Sequence, residues 1–80
     1  MSAPRLTDEQ ILTERRETWR LLQSVVHYSK CTQMHLEVGD DAVAVYDFAA
    51  VEEYFNAARR HFAIVRAEFR TQVGNTEGAV

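Results

Sequence analysis

An apolar residue recurs every three or four positions through the second half of this 80-residue chain. The steps are four, three, four, three and four, and the row consists of Val51, Phe55, Ala58, Phe62, Val65 and Phe69. Such spacing keeps one stripe of an α-helix apolar along its length, as in a coiled-coil seam. Asp47 suits the N-cap of this helix and Gly74 suits its end. The sequence therefore predicts a helix over residues 48–73 whose stripe packs against another element.

The first part of the chain carries the signals of a second amphipathic helix. Thr7 and Gln10 fit a capping box, in which each side chain accepts a hydrogen bond from the backbone N–H of the other residue. Apolar residues then recur at helical spacing, at Leu12, Trp19, Leu22 and Val26, with Ile11 and Val25 beside them. We expect a helix over residues 8–31 whose apolar stripe packs against the stripe of the other helix.

Three residues interrupt the pattern of the first predicted helix. Arg15 projects into the apolar stripe, so we expect it to extend its charge to solvent or to pair with a carboxylate, unless it receives an acidic group of a partner. Leu21 and Tyr28 lie seven residues apart on the opposite face, where a two-helix unit leaves them in water. They are either scattered surface residues or a contact patch for another protein.

The apolar period changes in the middle of the chain. Apolar and polar residues alternate over residues 34–38, and alanine alternates with valine over residues 42–45. Alternation is typical of β-strands, and Gly39 with the two aspartates after it supplies turn residues. The sequence therefore predicts a two-stranded β-hairpin over residues 33–46.

Together these elements predict one α+β domain over residues 1–80. Two long helices pack antiparallel, the β-hairpin joins them, and residues 75–80 form a flexible tail. The order is α-β-β-α, with the hairpin closing one end of the core because a two-stranded hairpin needs a face to pack on.

Composition narrows the classes of partner. Apolar residues make up 46% of the chain, but no apolar run approaches the roughly 20 residues that span a bilayer, so we expect no membrane insertion. Twelve acidic and nine basic residues give a net charge of −3, which opposes binding to nucleic acid. The first five residues lack the apolar stretch of a secretory signal, and Cys31 has no second cysteine to pair with. These features favour a cytoplasmic protein.

One set of side chains suggests metal chemistry. His27, Cys31 and His35 are spaced four apart, and imidazole with thiolate is a set of ligands that binds zinc. The predicted helix ends before His35, however, and no fourth ligand is evident. Two helices and a hairpin also enclose no water-excluding cavity, and the three glycines form no phosphate-binding loop. We therefore expect no metal, no cofactor and no enzymatic activity.

Several features of the chain match one known family. They are a helix ending near Ser29-Lys30, the alternation Met34-His35-Leu36-Glu37-Val38, the turn at Gly39-Asp40, and Asp47 leading into Val51-Glu52-Glu53-Tyr54-Phe55. In this layout the chain resembles the small phage head-to-tail joining proteins of the W family. The resemblance implies a noncatalytic protein that joins a portal or connector ring at the capsid exit and helps to build the platform for the tail. It would place the protein in the host cytoplasm or in the virion. This chain departs from that family in its net acidic charge, its lack of a basic hairpin and its longer second helix, which argues against contact with packaged DNA.

The leading prediction is therefore a protein-binding structural protein of phage head-tail assembly. One alternative is a small inhibitor of a host defence complex that presents an acidic surface around the hairpin, formed by Glu37, Asp40, Asp41 and Asp47. Another is a homodimeric regulatory or accessory subunit held by the heptad helix. The residues predicted to contact a partner lie on the hairpin and on the outer face of the first helix, and are Leu21, Tyr28, His35, Glu37, Asp40 and Asp41.

Overall fold

The computed structural model describes residues 6–78, and the side chains of residues 6–74. Two helices account for these residues: α1 (Asp8–Glu37) and α2 (Asp41–Gly78), joined by a three-residue turn. The helices run antiparallel, since His35 contacts Asp47 near the turn while Glu14 contacts His61 far from it. The molecule is a rod with principal dimensions of 58 × 23 × 19 Å.

The start of α1 confirms the predicted capping box. The Gln10 N–H donates to Thr7 Oγ1 at 3.1 Å, and the Thr7 N–H donates to Gln10 Oε1 at 2.7 Å. Asp8 and Glu9 in the first turn place negative charge at the positive end of the helix dipole.

The connection between the helices is a helix cap followed directly by a helix start. Gly39 has a left-handed φ of 78°, its N–H donates to the Leu36 carbonyl, and the Asp40 N–H donates to the His35 carbonyl. This pair of bonds is a Schellman motif, which satisfies the last carbonyls of α1. Asp40 then caps α2, because its Oδ1 accepts a hydrogen bond from the Val43 N–H. The chain therefore reverses within three residues.

The predicted β-hairpin over residues 33–46 is wrong, because residues 6–78 contain no strand. The fold is a helical hairpin and not an α+β domain. Five alternating residues fit a helix as well as a strand. Extending each helix satisfies the backbone with local hydrogen bonds, whereas an isolated β-hairpin would depend on marginally stable pairing between its two strands.

Several predicted boundaries change with this correction. The first helix ends at Glu37 and not near residue 31, and the second begins at Asp41 and not near residue 48. Asp47 and Gly74 lie within α2, so they are neither its cap nor its stop. Residues 75–78 of the predicted tail are helical, and residues 79–80 lie outside the described part.

An inner seam holds the two helices together. Its members are buried or half-buried and recur at alternating steps of three and four. On α1 they are Ile11, Glu14, Thr18, Leu21, Val25, Tyr28, Thr32 and His35, and on α2 they are Ala44, Asp47, Val51, Tyr54, Ala58, His61, Val65 and Glu68.

The predicted stripes lie mostly outside this inner seam. Val51, Ala58 and Val65 belong to it, as predicted, but the three phenylalanines of the same row are exposed. The predicted stripe of α1, from Leu12 to Val26, is exposed as well, while Ile11 and Val25 beside it belong to the inner seam. The expected packing of one stripe against the other inside the hairpin is therefore wrong. On each helix, two neighbouring stripes of side chains follow alternating steps of three and four residues. Here the stripe with the smaller and more polar side chains faces the other helix.

The two helices alone bury little apolar surface. Among the described residues the buried apolar side chains are those of Ile11, Leu21, Ala44 and Ala58, and no large side chain is fully buried. The chain exposes 6495 Å², against about 4,900 Å² for a compact monomer of its mass. Its radius of gyration is 17.8 Å, against about 12 Å for a compact domain of this length. Much apolar surface therefore remains to be covered.

Candidate protein-binding surface

Two histidine–carboxylate pairs lie in the inner seam. His61 Nδ1 is 2.5 Å from Glu14 Oε2, and His35 Nδ1 is 2.6 Å from Asp47 Oδ2. All four side chains are partly buried. A polar group in such a position costs free energy when it lacks a partner, so other pairings are disfavoured. The pairs therefore link α1 to α2 near both ends of the shared seam.

Between these pairs the inner seam contains stacked tyrosines and small residues. The Tyr28 and Tyr54 rings are nearly parallel, with centroids 5.5 Å apart. Thr18 and Thr32 are buried, and each hydroxyl donates to the backbone carbonyl four residues earlier at 2.8 Å. Because these local bonds satisfy the hydroxyls, the threonines can occupy the seam without partners on α2.

Eight large apolar side chains lie together on one side of the hairpin, beside the inner seam. We call this surface the apolar face. It consists of Leu12, Trp19, Leu22 and Val26 on α1 and of Phe48, Phe55, Phe62 and Phe69 on α2. All four phenylalanines of the protein belong to it and are spaced seven residues apart. Each of the eight side chains is between 40% and 64% exposed.

Shallow grooves join the α1 and α2 parts of the apolar face. One groove is lined by Leu22, Phe55 and Phe62, with Thr18 and Ala58 of the inner seam at its floor. A second is lined by Trp19, Leu22 and Phe62. The face is therefore continuous from one helix to the other.

Basic side chains border the apolar face on the side away from the turn. The Arg66 guanidinium carbon lies 5.2 Å from the centroid of the Phe62 ring, within the range of a cation–π contact. Arg59 and Arg66 line the groove that contains Phe55, and Arg15 lines the groove that contains Phe69. This part of the face therefore combines apolar surface with positive charge.

The opposite side of the hairpin carries mostly polar or small side chains. Its rows beside the inner seam contain Gln10, Glu17, Ser24 and Cys31 on α1 and Ala50, Ala57, Ile64 and Thr71 on α2. Arg20 pairs with Glu17 at 2.8 Å, and this hydrogen bond lowers the pKa of Glu17 and raises that of Arg20. The two sides of the hairpin thus differ in chemical character.

The structure moves three predicted contact residues into the inner seam. Leu21 is buried and Tyr28 is half-buried against Tyr54, so their expected position on the outer face is wrong. His35 faces Asp47 and not solvent. On α1 the buried residues lie one position before those of the predicted apolar stripe. Leu21 and Tyr28, which the sequence placed on the outer face, therefore face α2.

The remaining predicted contact residues lie at the turn end. Glu37, Asp40 and Asp41 are exposed there, with Asp40 acting as the cap of α2. Asp47 does not add to an acidic surface, because its carboxylate is paired with His35. The acidic tip is thus smaller than the sequence predicted.

The zinc-type set does not come together. His27 Nε2 lies 3.7 Å from Cys31 Sγ, but the His35 ring points to Asp47. Within the described residues no group of three or more His, Cys, Asp or Glu side chains is placed to hold a metal ion. The expectation that α1 ends before His35 is wrong, yet its continuity does not complete the set.

Arg15 lies on the apolar face, as the sequence predicted, and is exposed. It lines a groove with Phe62, Val65 and Phe69, so its aliphatic part borders apolar surface while its charge reaches solvent. It is therefore available to an acidic group of a partner.

Comparisons with known proteins add no relative. No protein-family model, no curated protein and no solved structure matches the chain. No helix among the described residues is both long enough and apolar enough to cross a bilayer.

Sequence reasoning missed two parts of this surface. The histidine–carboxylate pairs join residues 12 and 47 positions apart, for which no local pattern exists. Phe48 was the missing end of the phenylalanine row. Its signal was present, because it precedes Phe55 by seven residues.

Proposed function

We propose that this protein is a noncatalytic binding module that uses its apolar face to pack against helices of a protein partner. The observation that carries this proposal is the row of eight large, exposed apolar side chains on one side of the hairpin. Exposed patches of this size and continuity mark interaction sites in soluble proteins.

The pattern of the apolar face favours a helical partner. Its residues repeat every seven positions from Phe48 to Phe69, a length of about 31 Å along a helix. A seven-residue apolar repeat matches the knobs-into-holes packing of neighbouring helices. A short peptide loop would cover only part of such a row.

Site-specific photocrosslinking in cells that naturally make the protein tests this function. A photoreactive amino acid replaces Phe62, and in a matched variant it replaces Arg60, which lies about 200° away around α2. We expect protein adducts from position 62 and few from position 60. Equal adducts at both positions, or none at either, would contradict the proposal.

The head-to-tail joining function and the acidic inhibitor remain predictions. A head-to-tail joining function would make the partner a portal or connector ring, but the β-hairpin on which the resemblance was based is absent from residues 6–78. An acidic inhibitor would use the exposed Glu37, Asp40 and Asp41 at the turn. Crosslinks from the turn, rather than from the apolar face, would favour the inhibitor.

A further inference from the structure

We propose that the partner on the apolar face is a second copy of this chain, and that two hairpins form an antiparallel four-helix bundle. The inference rests on the proposed binding function and names the occupant of the same surface. A two-fold axis through the middle of the face, perpendicular to the helices, relates the two copies.

A second copy matches the apolar face in shape. On α2 the face is one row at seven-residue spacing, and on α1 it is the row of Leu12, Trp19 and Val26 with Leu22 beside it, so its ideal cover is a pair of antiparallel helices with the same repeat and length. Another copy supplies this pair. Packing two hairpins face to face is also how the antiparallel helices of a four-helix bundle share a core.

The apolar face is also large enough in area. At about 200 Å² for each large side chain, the eight residues of the apolar face leave about 800 Å² exposed, given their exposed fractions. A stable protein interface buries about 800 Å² on each partner. The face is therefore large enough for a dimer, and the inner seam alone buries too few apolar side chains to make the monomer a complete core.

The charge distribution along the rod selects the antiparallel orientation of the two copies. Residues 30–53, at the turn end, carry five exposed acidic side chains and one exposed lysine. Residues 8–20 and 59–72, at the other end, carry seven exposed arginines against four acidic residues besides Glu14, which pairs with His61. The two-fold axis places the acidic end of each copy beside the basic end of the other. A parallel pair would bring like charges together.

One row of α2 shows this arrangement at single positions. Beside the phenylalanines, Glu52 lies toward the turn and Arg59 and Arg66 lie toward the open end, each seven residues apart. In the antiparallel dimer the Glu52 of one copy faces the arginine side of the other. Charged residues that flank an apolar seam commonly set orientation in this way.

Light scattering on the purified chain, from about 1 to about 100 µM, tests the stoichiometry. We expect a mass of twice 9.2 kDa at the upper concentrations. A mass of one chain throughout, with helical circular dichroism intact, would overturn the proposal.

A pair of matched variants locates the interface. Phe55→Gln with Phe62→Gln should weaken dimerisation at least about 100-fold, because both rings lie at the centre of the face. Tyr46→Gln with Ile64→Gln changes two exposed side chains away from the face and should leave dimerisation unchanged. If the phenylalanine variant does not fold, Trp19→Gln, at a 64% exposed position, should weaken dimerisation about tenfold. A folded variant with substitutions in the apolar face that dimerises like the wild type would contradict the proposed dimer.

A distance measurement tests the orientation. With Cys31→Ser as background, labels on Val38→Cys mark the turn of each copy. In the antiparallel dimer the two labels should approach the 58 Å length of the rod. A separation below about 30 Å would show a parallel pair and would contradict the charge argument.

The crosslinking result separates the two proposals. A position-62 adduct with the mass of two chains supports both. A monomeric chain whose position-62 adducts contain a different protein overturns the second copy and leaves the binding function standing. A monomer that gives no face-specific adduct overturns both.

Discussion

The inner seam is held in register by a few polar side chains. His61 with Glu14 and His35 with Asp47 each have one suitable partner on the other helix, and a shift by one turn would leave partly buried polar groups unpaired. Apolar contacts between valines and alanines tolerate such a shift more easily. At this scale, specificity comes from the polar residues of the seam.

Replacing one member of a pair should therefore destabilise the hairpin. We expect His61→Ala to lower the free energy of unfolding by about 1 kcal/mol, since Glu14 loses its partner while it remains largely shielded from water. Urea denaturation followed by circular dichroism measures this. The double variant Glu14→Leu with His61→Leu should recover the loss, because no polar group is left unpaired. A single variant as stable as the wild type would show that the pair contributes nothing.

The helices themselves are specified by their ends. The capping box at Thr7 and Gln10 was predictable because it is a local pattern with one meaning. The turn was not, because Gly39 followed by aspartates suits a β-turn as well as a helix C-cap followed by a helix N-cap. The positive φ of Gly39 is compatible with both.

Gly39 and Gly74 should respond in opposite directions to replacement by alanine. A Cβ on Gly39 or on Gly74 meets no atom within 4 Å, so neither substitution creates a clash. We expect Gly39→Ala to cost about 1 kcal/mol through its left-handed backbone. Gly74→Ala, inside α2, should stabilise by about 0.5 kcal/mol through helix propensity. Thermal and urea unfolding measure both, and a stabilising Gly39→Ala would contradict the Schellman motif.

The apolar pattern of the helices was half predictable for a related reason. Spacing alone places Val51, Ala58 and Val65 on a helix stripe, and they do face inward. The spacing does not decide which second row faces inward beside these three residues, the row of phenylalanines or the row that contains Tyr54 and His61. Contacts with Tyr28 and Glu14 decide this, and those residues lie far away in sequence.

At the scale of the whole molecule, the inner seam and the apolar face differ in character. The inner seam is narrow and partly polar, while the apolar face contains the largest side chains and remains uncovered in one chain. The elongated shape spreads this face along the rod instead of closing it into a core. In the proposed dimer, association supplies burial that folding alone does not.

Thermal stability should consequently depend on concentration. Binding that is specific to the folded state raises the midpoint of unfolding by mass action. We expect the Tm to rise by several degrees between about 2 and about 200 µM protein, and to stay constant for Phe55→Gln with Phe62→Gln. Circular dichroism in cells of different path length measures both. A wild-type Tm that is independent of concentration would argue against self-association.

The short turn also separates folding from assembly in time. His35 and Asp47 are only 12 positions apart, so the first contacts between the helices close a small loop. Hairpins with such local contacts fold in microseconds to milliseconds. Two copies at about 1 µM that associate at about 10⁶ M⁻¹s⁻¹ need about one second to meet. A newly made chain would thus spend most of its waiting time folded, with its phenylalanines open to whatever arrives first, so the rate of synthesis would govern which complex forms.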